Sequence, residues 1–318
     1  MHHSTSDPLF PACRPRCIRQ MSVGDGHILH VEECGPADGL PVLFLHEGLG
    51  DGSRPEHRRL FDPQRFRVIM VDPRGVGLSL PSGELVANTT PDLVGDLEHV
   101  RDALGIQQWL VIGSGWGSVL ALAYAQLFTE RVCGLVLCSV FLGSRQEVQT
   151  LLQAPPTGFG PAWQRFSTFI PSDERDDLLE AYARRILGDD LLAAGNASKA
   201  WLSYKAALLD TAPPMDLSDE ARLAKARLQL HYLHHGFFIA SGQLLAGVER
   251  LRHLPAAIVQ GLADPLWTTH SAEVLHRAWP EATWFPVANA GNGVLAPAVA
   301  RACIKALGWV AECVETVG

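Results

Sequence analysis

Four stretches of the chain are almost continuously apolar: Pro41-Val-Leu-Phe-Leu-His46, Phe66-Arg-Val-Ile-Met-Val-Asp72, Trp109-Leu-Val-Ile-Gly113 and Val132-Cys-Gly-Leu-Val-Leu-Cys138. Runs apolar on both faces suit a parallel sheet covered by helices on each side. The segment before them, His27 to Glu33, alternates instead. Helical patterns lie between the runs. Thr90-Pro91-Asp92 offers an N-cap, a proline at the first helical position and an acid in the first turn, and Gly105 ends that helix after Leu104. Gly117 to Phe128 reads as the next helix.

From about Ser144 to Arg250 the strand signals vanish. Helical patterns take over at Arg175 to Leu187, Ala197 to Leu209 and Asp219 to His234, punctuated by Pro155, Pro156, Pro213 and Pro214. Alternation resumes with a strand at Ala256 to Gly261, a helix at Ser271 to Trp279, a strand at Thr283 to Val287 and a closing helix from about Ala296. The pattern predicts an α/β fold with a mostly parallel, doubly wound sheet and an inserted helical cap. Residues 1–21 are expected to form an N-terminal arm, 22–143 and 251–318 the core, and 144–250 the cap.

Composition narrows the partners. The 318 residues are 47% hydrophobic and 19% charged, enough to bury a sizeable core. A net charge of −8 without a basic run argues against nucleic acid. No apolar stretch reaches membrane-spanning length, and no basic segment followed by an apolar one marks a secretory signal. The seven cysteines are odd in number and scattered, which fits a reducing cytoplasm rather than a disulfide framework. Cys13 and Cys17 are close, but no second ligand pair follows them, so no metal is expected there. The expected partner is a small-molecule substrate or ligand, with no cofactor and no membrane; a homo-oligomer is left open.

The chemistry should centre on Trp109-Leu-Val-Ile-Gly-Ser-Gly-Trp-Gly-Ser118. In α/β hydrolases the nucleophile sits on a strained strand-to-helix turn, flanked by glycines two residues to either side. Gly113 and Gly117 are those glycines, so residue 115 is the tip, and it is glycine. Ser114 stands one residue off it.

Around this turn the chain resembles the proline iminopeptidase family from about Gly24 to Gly308. The resemblance rests on Asp25-Gly-His, His46-Glu-Gly-Leu-Gly-Asp-Gly52, His57-Arg-Arg-Leu-Phe-Asp-Pro63, Asp72-Pro-Arg-Gly-Val-Gly77 and Asn88-Thr-Thr90. Trp116-Gly-Ser118, Leu120-Ala-Leu-Ala-Tyr-Ala-Gln126, His231-Tyr232 and His276-Arg-Ala-Trp-Pro-Glu281 extend it. It implies an α/β-hydrolase fold with the triad serine position at Gly115, the acid at Asp264 in Gly261-Leu-Ala-Asp264, and the histidine position at Asn292 in Ala290-Gly-Asn-Gly293. Glycine carries no nucleophile, and an amide cannot take its proton.

The resemblance also implies that the cap acids which bind a substrate amine correspond to Lys205, in Trp201-Leu-Ser-Tyr-Lys205, and Gln229, in Ala226-Arg-Leu-Gln-Leu-His-Tyr232. Lys205 pointing into the pocket would favour an anionic or carbonyl-bearing ligand. Trp116, Trp201 and Trp267 are candidate apolar walls. The backbone N–H groups of Gly48 and Trp116 are the candidate oxyanion donors. Glu47, where the family has glycine, is a candidate acid/base group with its pKa raised by burial. His231, His234 and His235 share helical spacing, but the resemblance accounts for His231-Tyr232 as fold residues.

These changes lead to the expectation of a non-hydrolytic enzyme: a cyclase, isomerase or lyase acting on a small molecule in specialised biosynthesis, without prolyl peptidase activity. Behind it stand a catalytically inactive ligand-binding protein and a hydrolase with another nucleophile, either Ser114 or a water activated by Glu47 or Asp264.

Overall fold

The structure, a computed structural model, describes residues 7–152, 160–209, 217–264 and 269–317. Among the described residues the sheet has eight strands: β1 (Cys17–Gly24), β2 (His27–Cys34), β3 (Leu40–Leu45), β4 (Phe66–Asp72), β5 (Trp109–Gly115), β6 (Val132–Val140), β7 (Ala256–Gly261) and β8 (Thr283–Val287). Their order is β1-β2-β4-β3-β5-β6-β7-β8. The β1–β2 and β2–β4 pairs are antiparallel, and every other neighbouring pair is parallel.

Period-two alternation divides each central strand between two apolar layers. Leu43 and Leu45 of β3 and Val111 of β5 face the layer that includes α1 (Thr90–Ala103) and α2 (Trp116–Leu127). Val42, Phe44, Leu110 and Ile112 face the other, closed by Cys303, Leu307 and Val310 of the C-terminal helix. That helix lies so close to β6 that a Cβ on Gly134 would stand 2.5 Å from a methyl of Val310. Burial on both faces is why these strands read as unbroken apolar runs.

Between β6 and β7 the chain is helical: α3 (Arg145–Leu152), α4 (Gly160–Phe169), α5 (Leu178–Ile186), α6 (Leu191–Leu208), α7 (Asp219–His234) and the short α8 (Gln243–Ala246). Phe166 sits between Tyr182 and Tyr204, with ring centroids at 4.5 and 4.2 Å, and joins α4 to α5 and α6. After β7 come α9 (Thr269–Ala278), then β8 and α10 (Pro297–Val317). No helix among the described residues is long and apolar enough to cross a membrane.

Two local expectations need correction. Residues 17–21 belong to β1 rather than to an arm: this edge strand is largely exposed, so it pairs through its backbone without an apolar run to announce it. The first helix is capped by Thr89, not Thr90; its hydroxyl and the Asp92 carboxylate form a reciprocal capping box. The short helices α3 and α4 carried no expectation of their own within the cap.

Candidate functional site

At the C-terminal end of β5 the chain turns directly into α2. Gly115 stands at the tip with φ 54° and ψ −120°, a conformation that strains any side-chain-bearing residue and that glycine adopts freely. The flanking glycines are required by contact. A Cβ on Gly113 would lie 2.2 Å from the Gly117 carbonyl oxygen, and one on Gly117 would lie 2.2 Å from that of Leu45. Ser118 ties the turn to the end of β6 by donating to the Gly115 carbonyl at 2.6 Å and accepting from the Phe141 N–H at 3.0 Å. Ser114 is fully buried and lines neither of the two cavities described below.

The late loops arrive beside the turn because β7 and β8 extend the same sheet. Ala263 N–H donates to the Ala290 carbonyl at 2.8 Å, and a Cβ on Gly261 would sit 2.4 Å from the Gly291 carbonyl oxygen. The loop carrying Asp264 is thus locked to the loop carrying Asn292. Asp264 is buried, and Asn292 is half-buried with its Oδ1 making no hydrogen bond. Residues 115, 264 and 292 follow the carboxyl ends of β5, β7 and β8, the edge at which open α/β sheets hold ligands.

The loop after β3 supplies the charged groups. Glu47 faces His57 Nε2 at 3.6 Å and Arg54 at 3.5 Å. His57 Nδ1 accepts the Arg54 backbone N–H at 3.0 Å, which places the ring proton on Nε2, toward Glu47. Burial pushes the Glu47 carboxyl up, but the facing imidazole and Arg54 outweigh it, and the net shift is downward. This corrects the expected direction: Glu47 is held ionised, because burial came with partners from a turn ten residues on. His46 is buried with neither ring nitrogen bonded, and burial outweighs the charges of Asp72 and Glu47 to lower its proton affinity.

One of the two expected oxyanion donors is already occupied. The Trp116 N–H donates to the carbonyl of Glu47 at 3.2 Å. The Asp51 carboxylate presses on Gly48 so closely that a Cβ there would meet Asp51 Oδ2 at 2.2 Å.

From the cap, Lys205 of α6 and Lys225 of α7 reach the same loop. Lys225 pairs with Asp51. Burial draws the Lys205 ammonium down to about 8, against the attraction of Asp51. Gln229 is fully buried and already engaged: its Oε1 accepts from Trp201 Nε1 at 2.8 Å, and its Nε2 donates to the Leu49 carbonyl at 2.9 Å. It therefore holds the cap to the loop and has no free polar atom aimed at a substrate, contrary to expectation. Trp267 lies outside the described residues. His231, His234 and His235 are separately engaged with Asn88 O, Glu180 and His231 O, not gathered toward one point.

Two cavities meet here. One is apolar, walled by Leu49, Trp116, Phe141, Trp201, Leu208 and Phe237 among others. The other is polar and includes His46, Asp51, Arg54, His57, Lys225 and Asn292. Among the described residues, Glu47 and Lys205 are common to both walls. Sequence reading singled out these two but missed His46, His57, Asp51 and Lys225. The density of charged and histidine residues between His46 and Arg58 was the available signal.

A family model described as the alpha/beta hydrolase fold matches residues 41–295. A protein named probable proline iminopeptidase from Leptolyngbya boryana is 38% identical over 305 residues, covering 94% of this chain and 95% of its own. The proline iminopeptidase of Neisseria gonorrhoeae is 40% identical over 291 residues, covering 90% and 94%. Among solved structures, a proline iminopeptidase-related protein from Thermus thermophilus superposes with a TM-score of 0.60 at 21% identity, covering 94% of this chain and 98% of that one. The last likeness bears on the fold alone.

These relatives overturn the expectation of a non-hydrolytic enzyme. The cyclase, isomerase and lyase readings, the biosynthetic role and the inert ligand-binding reading fall with it, because the chain is similar over nine-tenths of its length to named peptidases.

Proposed function

Because the chain belongs to the proline iminopeptidase family of α/β hydrolases, we propose that it is a hydrolase of small amides, N-terminal prolyl amides first among them, and that water is its nucleophile. The observation carrying this reading is a set of buried polar atoms on the polar cavity without a protein hydrogen bond: both ring nitrogens of His46, one a donor and one an acceptor, Glu47 Oε2 and Asn292 Oδ1. Leaving such an atom unsatisfied costs about 1–3 kcal/mol, and a water with 2–4 polar partners removes that cost. A residue at the elbow tip without a side chain cannot supply the attacking oxygen itself. An asparagine at 292 accepts a hydrogen bond from water but takes no proton.

Glu47 is the base in this reading. It is ionised, faces the His57 ring at 3.6 Å, and borders both cavities. The acyl group of the substrate occupies the apolar cavity, and its carbonyl meets the water at the junction. Oxygen–carbon bond formation sends the water proton to Glu47. Collapse of the tetrahedral intermediate breaks the carbon–nitrogen bond and returns that proton to the leaving amine. The carbonyl oxygen of the substrate replaces that of Glu47 on the Trp116 N–H.

The test is turnover of prolyl and alanyl anilides by the purified chain. Hydrolysis without an initial burst, unaffected by a serine-directed fluorophosphonate and reduced at least about 100-fold by Glu47→Gln, is the expected result. Absence of turnover, covalent labelling that stops it, or full activity of Glu47→Gln would each overturn the reading.

A further inference from the structure

We infer that the junction of the two cavities is a carboxylate-binding subsite, in which the Lys205 ammonium receives a single negative charge borne by a ligand whose apolar body fills the Trp116 and Trp201 chamber. The inference does not rest on the proposed hydrolase: its ligand is an acid, distinct from the amine-bearing prolyl amides of that reading.

The charges around the polar cavity are Glu47 and Asp51 against Arg54, Lys205 and Lys225. Each acid already has its cation. Asp51 pairs with Lys225, and Glu47 with Arg54 and the facing His57. Among the described residues Lys205 makes no hydrogen bond and no ion pair, although it borders both cavities. Lys205 is half-buried, and the desolvation this brings draws its proton affinity down, with no partner within bonding distance to restore it. An ammonium in that position gains from any anion brought to it and repels a ligand amine.

The apolar wall decides what carries the charge. Leu49, Phe141, Val148 and Phe237 join the two tryptophans in a surface that hydrates poorly, so the ligand is amphipathic, an aryl or branched aliphatic group ending in an acid. The neighbouring carboxylates decide how much charge fits. A dianionic phosphate would meet Glu47 and Asp51 at the same mouth with one lysine to offset it, whereas a carboxylate carries one charge.

Binding to the full chain at pH 7, followed by tryptophan fluorescence and calorimetry, separates the outcomes with three probes of one shape: 4-phenylbutanoate, 4-phenylbutanamide and 4-phenylbutylamine. The acid is expected to bind at least about tenfold more tightly than the amide, and the amine more weakly than either. Lys205→Met should remove the advantage of the acid while leaving the amide unchanged, which also shows that the chamber is intact. Lys205→Arg should restore most of it. Equal or tighter binding of the amine, no binding of the acid, or an unchanged acid affinity in Lys205→Met would overturn the subsite. These results do not depend on turnover. A chain that binds the acid through Lys205 but hydrolyses nothing refutes the hydrolase and keeps the subsite; one that hydrolyses anilides and ignores the acid does the reverse.

Discussion

The backbone N–H of Trp116 donates to the carbonyl of Glu47 at 3.2 Å, so the amide best placed to stabilise a developing oxyanion is occupied by the protein itself. A substrate carbonyl must displace one protein acceptor to reach it. In nitrogen-15-labelled protein, saturation with 4-phenylbutanamide should move the Trp116 amide resonance. The amide of Trp109, in the strand before the turn, should stay in place. An unmoved Trp116 resonance would mean that the bound carbonyl does not use this donor.

The elbow tolerates no side chain at its flanks, because the obstructing atoms are backbone oxygens 2.2 Å from the added Cβ. Gly113→Ala and Gly117→Ala should each lower stability by about 3 kcal/mol, the upper end of ordinary overpacking costs. Gly95→Ala on α1 meets nothing within 4 Å and provides the contrast. It should raise stability by up to about 1 kcal/mol through helix propensity. Urea midpoints of the three variants decide the point.

Gln229 is a strut between α7, Trp201 and the loop after β3. Replacing it with leucine strands a buried indole N–H and the Leu49 carbonyl. The expected loss is about 2–4 kcal/mol, from two unsatisfied groups. A stability change below about 1 kcal/mol would show that Gln229 is not holding these groups together.

Acid and alkali should act through different residues. Glu47 has a depressed pKa in the folded chain, so its ionised form stabilises the fold above the unfolded carboxyl pKa, and that contribution is lost as pH falls through the lower folded value. Anilide turnover should therefore stay level between pH 7 and 5, within the range where this base remains ionised. Lys205 loses its proton from about 8 upward, with Asp51 opposing that loss and Lys225 assisting it; Glu47 and Arg54 border the same cavity. Binding of 4-phenylbutanoate should weaken by up to about tenfold per pH unit above that value, while binding of the neutral amide should not change. A flat profile for the acid between pH 7 and 10 would remove Lys205 from its recognition.

Much of the fold was legible because its causes are local. An apolar run records burial on both faces of β3, β4, β5 and β6, and paired glycines at 113 and 117 record a turn that cannot hold a Cβ. The resemblance then put residues 115, 264 and 292 at one edge of the sheet, and the strand order brings them there. Strand β1 escaped notice because an exposed edge is held by backbone hydrogen bonds that leave no apolar trace.

The site is another matter, since its chemistry depends on pairs remote in the chain. Sequence alone named Glu47 but assigned its pKa shift the wrong sign, because the imidazole that reverses burial reaches it only after the chain turns back. It named Gln229 as a reader of substrate, yet both ends of that amide are taken, one by a carbonyl 180 residues away. It named Trp116 N–H as an oxyanion donor without showing that the Glu47 carbonyl holds it. Residue type and spacing carry the conformational demands of a segment, because those arise from its own atoms. Protonation, hydrogen-bond occupancy and the single charge left over at Lys205 are sums over neighbours, and only the tertiary structure chooses the neighbours.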